Sequence, residues 1–304
     1  MINRLAVGTR GSLLAITQTN QTIEALRQIS PGVRYKVVAI HTQGDKANSW
    51  NETTPRKEMF TKEIEESLIK RDIDIAIHSV KDLTTDISTG LVIAAVTKRL
   101  DPRDVMITRS KCKFSQIPAR AKVGTSSARR KAQLLAARAD LEILELHGNV
   151  DTRIRKIRNG EYDVIVLASA GLARLGLESH VSEVISTDVM LPAVGQGALA
   201  IQCREDDEEI RDLMTQIEHR PTREAIQAER AFAKKLGADC QTPVAAYARY
   251  ESTGFVIEGM VAAPNGRILV RSRLTSQSEK PESVGEELAS RLLAQGAETI
   301  MEAV

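Results

Sequence analysis

The chain has 304 residues, of which 42% are hydrophobic and 27% are charged, so it is longer than one ordinary domain and has the composition of a globular protein. Aromatic residues make up only 3% of it, which argues against nucleic-acid recognition by base stacking. The formal net charge is +2, so any positive charge that binds an anion must be local.

Strand-like and helix-like segments alternate through the first hundred residues. Short runs of apolar or β-branched residues predict strands, and apolar residues at helical spacing predict helices. In chain order these are a strand at Leu5–Gly8, a helix at Leu13–Ile29, a strand at Tyr35–Thr42, a helix at Thr61–Lys70, and strands at Ile73–His78 and Leu91–Thr97. The alternation predicts a doubly wound α/β sheet, and Lys98–Arg103, with its proline and its charges, is typical of a linker.

A second alternating set follows this linker. It consists of a strand at Ala121–Gly124, a helix at Ser127–Ala139, a strand at Leu141–Leu146, a helix at Asp151–Arg158, a strand at Asp163–Ala168, a glycine-rich turn at Pro192–Gly197 and a strand at Ala198–Cys203. The pattern then changes to a long amphipathic helix at Arg220–Leu236, three strand-like runs between Val244 and Leu274, and a helix at Glu282–Ala294. This last part predicts a smaller α+β domain.

The segment that ends at Asp82 gives the first indication of a site. An isoleucine-rich strand ends there in Ser79, Lys81 and Asp82 without a turn residue. Ligands of open α/β sheets bind beyond the carboxyl ends of the strands, and a carboxylate beside an ammonium group could stabilise a developing cation there. An ordinary Lys–Asp pair on a loop explains this segment equally well.

The junction at Gly124–Arg130 gives the second indication. Thr125 and Ser127 supply hydroxyls where a helix begins, and the free N–H groups and the helix dipole favour an anion. Arg129 and Arg130 lie in the first helical turn, where a cation opposes the dipole, so an anion bound between them explains the pair better than a capped helix with two exposed arginines. Comparable positions at other strand–helix junctions are Arg10, Ser12, Arg153 and Arg174. These arginines predict a site for a ligand with several carboxylates.

The cysteines and histidines predict neither a disulfide framework nor a metal site. The three cysteines are widely spaced, and the five histidines show no metal-ligand spacing. Cys240 lies in a polar loop where a thiol can react, although an inert thiol is the simpler interpretation from the residues alone. Because no apolar run is long enough to span a membrane and no signal peptide is evident, we expect a cytoplasmic protein without a membrane or nucleic-acid partner.

Taken together and in order, these segments resemble the porphobilinogen deaminase family, also called hydroxymethylbilane synthases. The matching runs are GTRGSLLAITQ from Gly8, FTKEIEESL from Phe60, IDIAIHSVKD from Ile73, GTSSARRKAQL from Gly124, HGNVDTR from His147, LPAVGQGALAIQCR from Leu191 and CQTPVAAY from Cys240. The resemblance covers nearly the whole chain. Each run alone is weak evidence for the family, but the combination of runs in this order is specific.

The resemblance implies two doubly wound α/β domains of the solute-binding-protein type that flank a cleft, plus a smaller α+β C-terminal domain. The predicted bounds are 1–98 with 197–217 for the first domain, 103–192 for the second and 220–304 for the third. We expect the protein to be a monomer.

The resemblance also implies a transferase of tetrapyrrole and heme biosynthesis. It would condense porphobilinogen units head to tail with loss of ammonia and release hydroxymethylbilane, on a dipyrromethane cofactor joined by a thioether to Cys240. Asp82, with Lys81 beside it, is implied as catalytic, because its carboxylate would stabilise the azafulvenium cation. By motif position the cofactor-binding residues are Cys240, Arg10, Ser12, Lys81, Asp82, Thr125, Ser127, Arg129 and Arg130. The substrate-binding residues are Arg10, Gln18, Lys57, Phe60, His147, Arg153, Arg174 and Gln196.

The sequence departs from the family pattern at several positions, none of which removes a reacting group. His147 stands where the family usually has an arginine, and Ala238-Asp239 replace two glycines before the cysteine.

Two functions other than that of a deaminase are compatible with parts of this pattern. One is a non-enzymatic anion-binding protein of the solute-binding type, which does not need Cys240. The other is a cysteine hydrolase, for which no histidine is placed by sequence to act as the base.

Overall fold

The computed structural model describes residues 2–42, 61–84, 86–238, 242–277 and 280–302. The chain forms two compact units, one of Met1–Leu100 with Ala198–Arg223 and one of Asp101–Gly197 with Glu224–Val304. Within the described ranges, no helix is both long enough and apolar enough to cross a membrane.

A five-stranded sheet forms the centre of the first unit. Its strands are β1 (Arg4–Arg10), β2 (Arg34–Ile40), β3 (Ile75–Ser79), β4 (Leu91–Val96) and β10 (Leu199–Arg204), in the order β2-β1-β3-β10-β4. β1 is parallel to both β2 and β3, whereas β10 is antiparallel to β3 and β4. Because β1 and β3 are parallel, their carboxyl ends lie at the same edge of the sheet.

Helices cover both faces of this sheet. They are α1 (Leu13–Ile29), α2 (Lys62–Ile69) and α6 (Glu208–Thr215). Ile23 and Leu26 of α1 share one core with Ile75 and Ile77 of β3, whereas α2 packs through a second core that includes Ala76. β3 is therefore buried on both faces, which explains its nearly continuous apolar sequence.

The second unit contains a sheet of similar design. Its strands are β5 (Asp104–Thr108), β6 (Lys122–Gly124), β7 (Glu142–Leu144), β8 (Val164–Ala168) and β9 (Glu183–Val184), in the order β7-β6-β8-β5-β9. Its helices are α3 (Ala128–Ala137), α4 (Val150–Arg158) and α5 (Ser169–Leu175). Leu134 of α3 packs on one side of the sheet, and Ile154 and Ile157 of α4 pack in a separate core.

The C-terminal part is an antiparallel sheet with three helices. Its elements are α7 (Arg220–Lys235), β11 (Val244–Glu251), β12 (Gly254–Ala262), β13 (Leu269–Ser276), α8 (Pro281–Ala294) and α9 (Ala297–Glu302). Phe232 of α7 and Leu288 of α8 belong to its core. Gly266, between β12 and β13, has φ +69°, and a Cβ atom there would lie 2.5 Å from the Ala132 carbonyl oxygen of α3. A glycine is required for this close packing on α3.

The predicted α/β class is confirmed, with two sheets covered by helices and a smaller α+β part. The sequence pattern did not predict β5, β9, α6 or α9. β5 escaped notice because its apolar run is only Val105–Ile107 and it directly follows a charged, proline-containing segment. The unit boundaries after Leu100 and Gly197 lie close to the predicted domain boundaries. The division into three domains stays a prediction.

Candidate active site

The catalytic candidates Lys81 and Asp82 belong to a single turn of 3-10 helix, Val80–Asp82, directly after β3. The Val80 N–H donates to the Ala198 carbonyl at 3.1 Å, and the Leu83 N–H donates to the Val80 carbonyl at 3.1 Å. Both candidate side chains are half-buried. The turn thus holds Asp82 at the carboxyl end of a buried strand.

Three further candidates lie at or beside the same edge of the first sheet. Arg10 is the last residue of β1, and the Ser12 hydroxyl caps α1 by accepting from the Ala15 N–H at 3.2 Å. Gln18 is buried, and its amide is hydrogen-bonded to the Ser79 hydroxyl, with Nε2–Oγ and Oγ–Oε1 distances of 3.0 and 3.2 Å. This edge of the sheet therefore carries a guanidinium group, a helix-capping hydroxyl and an amide that is hydrogen-bonded to the end of β3.

Behind Asp82 lies a buried chain of polar side chains that the sequence analysis did not identify. His78 Nε2 is 3.0 Å from Gln202 Oε1, and Gln202 Nε2 donates to Glu65 Oε1 at 2.7 Å. The Ser88 hydroxyl donates to the other oxygen of Glu65. Burial lowers the pKa of the His78 imidazole to about 4, against opposing contributions from Gln202 and from the charge of Asp82.

In the second unit, Asp104 of β5 is completely buried between Arg129 and Arg130 of α3. Arg129 Nη1 donates to Oδ2 at 2.7 Å, and Arg130 donates to Oδ1 from Nε at 3.0 Å and from Nη2 at 2.7 Å. Burial alone would raise the pKa of the Asp104 carboxyl, but the two guanidinium charges outweigh it and hold that pKa well below its usual range. The anion between these arginines is thus a side chain of the protein itself. Whether the pair also binds a ligand stays a prediction.

Gln196 joins this cluster from the glycine-rich turn. Its Nε2 donates to Asp104 Oδ1 at 3.0 Å and to the Pro102 carbonyl at 2.6 Å. The Gly195 N–H beside it donates to the buried carboxylate of Glu229 on α7 at 2.7 Å, and the other oxygen of Glu229 accepts from the Ala248 N–H at 2.8 Å. The turn is therefore fixed to the arginine cluster and to the C-terminal sheet.

The hydroxyls of Thr125 and Ser127 have local partners. Thr125 Oγ1 accepts from the Ser127 N–H at 3.2 Å. Ser127 Oγ caps α3 by accepting from the Arg130 N–H at 3.4 Å. Both side chains shape the start of the helix that presents the arginine pair, and a ligand would have to share these hydroxyls with the backbone.

Arg153 and Arg174 differ from the arginine pair because, over the described part of the chain, neither is paired with a carboxylate. Arg153 Nε donates to the Gly148 carbonyl at 2.7 Å, and Arg174 Nη2 donates to the Gly197 carbonyl at 2.9 Å. Burial lowers the pKa of both guanidinium groups to about 10, and the charge of Arg130 adds to the effect at Arg153. Burying a cation against carbonyl groups alone costs free energy, which an anionic ligand would offset.

His147 is exposed at the start of the segment that leads into α4. Its Nε2 lies 3.3 Å from Glu145 Oε2, and its Nδ1 lies 3.4 Å from the Ser126 hydroxyl. A ligand carboxylate at His147 would therefore compete with Glu145.

The remaining candidates, Cys240, Lys57 and Phe60, lie outside the described residues, so their roles stay predictions. The chain before Cys240 is described up to Ala238, after α7 has ended and Gly237 has taken φ +65°. Among the side chains that the structure describes, no group of three or more His, Cys, Asp or Glu residues could hold a metal ion.

Sequence reasoning missed Asp104, His78, Gln202 and Glu65. The available signal was a polar residue beside or inside an apolar strand, as in Asp104-Val-Met-Ile and Ala200-Ile-Gln-Cys. A polar side chain in such a strand is buried and must find a partner, so it marks a buried network even when the partner is unknown.

Comparison with known proteins gives one family for the whole chain. Residues 5–212 match the model of "Porphobilinogen deaminase, dipyromethane cofactor binding domain", and residues 223–294 match that of "Porphobilinogen deaminase, C-terminal domain". The porphobilinogen deaminase of Brevibacillus brevis is 43% identical over 97% of this chain and 96% of its own length. Those of Thermus thermophilus and Desulforudis audaxviator are 44% and 45% identical, over 98% and 99% of this chain and 98% of each relative.

Proposed function

This chain belongs to the porphobilinogen deaminase family, and from that premise we propose that it condenses porphobilinogen units head to tail, with loss of ammonia, and releases hydroxymethylbilane. The observation that carries the proposal is the half-buried carboxylate of Asp82 on its fixed turn at the carboxyl end of β3. A negative charge held there is suited to stabilise a cation that forms on the substrate.

We assign that role to Asp82. As ammonia leaves porphobilinogen, positive charge develops on the pyrrole, and the Asp82 carboxylate stabilises it and accepts a hydrogen bond from the pyrrole N–H. The Val80–Ala198 hydrogen bond fixes the turn in advance, so the charge requires little reorganisation during the reaction. Lys81, on the same turn, is the neighbouring cation that we propose to act with it.

We propose that Arg153 and Arg174 bind carboxylate groups of the substrate or of the growing chain. Each porphobilinogen carries an acetate and a propionate, so a ligand of several units is a polyanion. The absence of a carboxylate partner for either arginine, within the described residues, supports this role. The other proposed substrate contacts are Arg10, Gln18, Lys57, Phe60, His147 and Gln196.

The cofactor implied by the family is dipyrromethane, and we propose that Cys240 holds it through a thioether. When bound, it supplies the primer on which the tetrapyrrole grows. Its carboxylates fit the excess of guanidinium groups in this region of the second unit, where Arg129 and Arg130 share the single carboxylate of Asp104 and where Arg153 and Arg174 donate to carbonyl groups. The residues proposed to hold it besides Cys240 are Arg10, Ser12, Lys81, Asp82, Thr125, Ser127, Arg129 and Arg130.

We further propose that the protein acts as a cytoplasmic monomer without a nucleic-acid or membrane partner. Its near-neutral charge of +2 gives it no general attraction for polyanionic surfaces. Light scattering across a range of protein concentrations tests the monomer, because a mass that rises to twice that of the chain contradicts it.

The first test is the intact mass of the denatured protein beside that of Cys240→Ser. We expect an excess equal to two porphobilinogen units less two ammonia molecules in the parent protein and none in Cys240→Ser. Protein that stays unmodified after incubation with porphobilinogen or with preformed product, and that forms no tetrapyrrole, contradicts the proposed function.

The second test is the Asp82→Asn variant, with the exposed Asp86→Asn as its matched control. Removing one preorganised charge typically costs about a hundredfold to a thousandfold in kcat. We expect that loss for Asp82→Asn and no comparable loss for Asp86→Asn, measured as tetrapyrrole formation by proteins with equal cofactor loading. Equal activities of the two variants would remove Asp82 from the mechanism.

A further inference from the structure

His78 is a buried titratable side chain that the mechanism above does not use. It lies on β3 four positions before Asp82, and its side chain is 6% exposed. In the antiparallel register His78 is opposite Ala200 and Ala76 is opposite Gln202, so His78 and Gln202 lie on the same face of the sheet, the face covered by α2. The ring therefore contacts its polar partner inside the core and near the proposed catalytic carboxylate.

The order of groups in the buried chain determines which ring nitrogen of His78 carries the proton. The carboxylate of Glu65 can only accept, so the amide nitrogen of Gln202 must face it, as the 2.7 Å Nε2–Oε1 distance shows. The amide oxygen then faces His78 and can only accept, so the proton lies on Nε2 of the ring. These contacts fix the proton on Nε2, and burial, which disfavours a second proton on the ring, leaves Nδ1 with a lone pair.

The protonation state of this ring affects the charged groups at the same end of the sheet. Asp82 favours the imidazolium, whereas Arg10 and burial oppose it, and burial dominates. An imidazolium here would attract the Asp82 carboxylate and offset the negative charge that the reaction requires. It would also place a second cation near Arg10.

We propose that His78 is a positioning residue. Glu65 and Gln202 present an amide oxygen, not a carboxylate, to Nε2 and so fix the Nε2–H tautomer, while burial keeps the ring neutral, so that the charge of Asp82 remains available to the substrate. This inference rests on the proposed function. It assigns to Glu65 and Gln202 an indirect role in the chemistry, through the charge and tautomer of His78, although neither touches the substrate. Ser88, which donates to Glu65, supports the far end of the chain.

The test exchanges the two side chains behind the ring in the double variant Glu65→Gln/Gln202→Glu. The exchange keeps one carboxylate and one amide of the same sizes in the core, but moves the negative charge next to His78 Nε2. The matched control is Glu208→Gln/Gln216→Glu, the same exchange on the exposed surface at α6. Both proteins are prepared with the cofactor loaded, and folding is checked by circular dichroism.

Two readouts are compared, the ring 15N shifts of His78 and the pH profile of kcat. In the parent protein we expect the neutral Nε2–H tautomer at pH 7, and in the exchanged variant an imidazolium. kcat of the variant should be lower by about tenfold at pH 7 and should recover as the pH rises and the ring loses its proton. KM should change much less, because the arginines proposed to bind carboxylates are untouched.

Each other outcome overturns the inference. An Nδ1–H or cationic ring in the parent protein contradicts the tautomer assignment, and a neutral ring in the exchanged variant shows that Gln202 and Glu65 do not set its charge. An imidazolium with undiminished kcat shows that the charge of His78 does not affect Asp82. Failure of the proposed function itself is recognised separately, because the parent protein would then form no tetrapyrrole whatever the state of its ring.

Discussion

In the first α/β unit, the buried polar groups behind the site form a chain with one carboxylate, one amide and a neutral imidazole. In the second unit, a buried carboxylate lies between two guanidinium groups, so the cluster of Asp104, Arg129 and Arg130 carries one negative and two positive charges, a net charge of +1. Sheets of similar design thus bury polar groups in two different ways.

The difference corresponds to what each site is proposed to do. The first unit is proposed to stabilise a cation, and a neutral His78 leaves the charge of Asp82 uncompensated by the ring. The second unit is proposed to bind carboxylates, and in its cluster two arginines share the one carboxylate of Asp104. A buried ion pair adds little net stability, but removing one of its partners is strongly destabilising. The stability of an amide chain depends instead on its individual hydrogen bonds, each of which contributes a modest free energy. The two regions should therefore respond differently to substitution and to pH.

The largest expected effect comes from Asp104→Asn, which leaves two buried guanidinium groups without their carboxylate. Removing one partner of a buried ion pair typically costs about 3–5 kcal/mol of unfolding free energy. The control is Asp101→Asn, whose pair with Arg103 is partly exposed and is expected to be worth at most about 1 kcal/mol. Urea denaturation measures both, and similar losses for the two variants would show that burial does not strengthen the Asp104 cluster.

A second prediction separates the two regions by pH. Burial lowers the pKa of His78 in the folded protein to about 4, whereas an ordinary histidine has a pKa of about 6.5. Between these two pH values the unfolded chain therefore binds more protons than the folded chain. Stability is therefore lost as the pH falls through this window, by roughly 3 kcal/mol in all. The depressed pKa of Asp104 affects stability at lower pH. Its contribution to the free energy of unfolding is lost only as the pH falls below an ordinary aspartate pKa of about 3.9.

His78→Gln should reduce the loss of unfolding free energy between pH 6.5 and 4. The exposed His41→Gln is the control. The free energy of unfolding is measured by urea denaturation at intervals across this range. If His78→Gln and the parent protein lose stability in parallel, His78 is not the group responsible.

The smallest expected effect is that of Ser88→Ala, which removes one donor from Glu65 at the half-buried end of the chain. Water can reach this position, so we expect a loss of about 0.5–1 kcal/mol in the free energy of unfolding. Ser290→Ala on the exposed face of α8 is the control, with almost no change expected. A loss as large as that of Asp104→Asn would mean that the amide chain is as sensitive to losing one partner as the ion cluster.

Much of the fold was predictable because its signals are local. The run Ile73–His78 was recognised as a buried strand from its β-branched residues, and the position of Asp82 beyond its end followed directly. The arginine pair predicted an anion from the helix dipole alone. That the anion is Asp104 could not be predicted, since it lies 25 positions from Arg129 on a strand that was itself missed.

The buried chain was harder still to predict. Gln202 lies 124 positions from His78 and 137 from Glu65, and no local pattern specifies such pairs. They follow from the tertiary packing of α2 on the sheet and from the antiparallel register of β10. The candidates Lys57, Phe60 and Cys240, by contrast, are assigned only by motif and lie outside the described residues.

The position of β10 in the middle of the first sheet has a consequence for synthesis. Among the strands that the structure describes, β4 pairs with β10 alone, and β3 pairs with β10 on one side. A nascent chain that has reached Leu100 therefore leaves one edge of β3 and the whole of β4 unpaired, while β5 to β9 still have to be made. The sheet that starts first is therefore completed only after the strands of the second sheet have been made, when Arg204 has left the ribosome. Until then those edges are open to pairing with other chains, which makes this interval the one in which a chaperone would matter most.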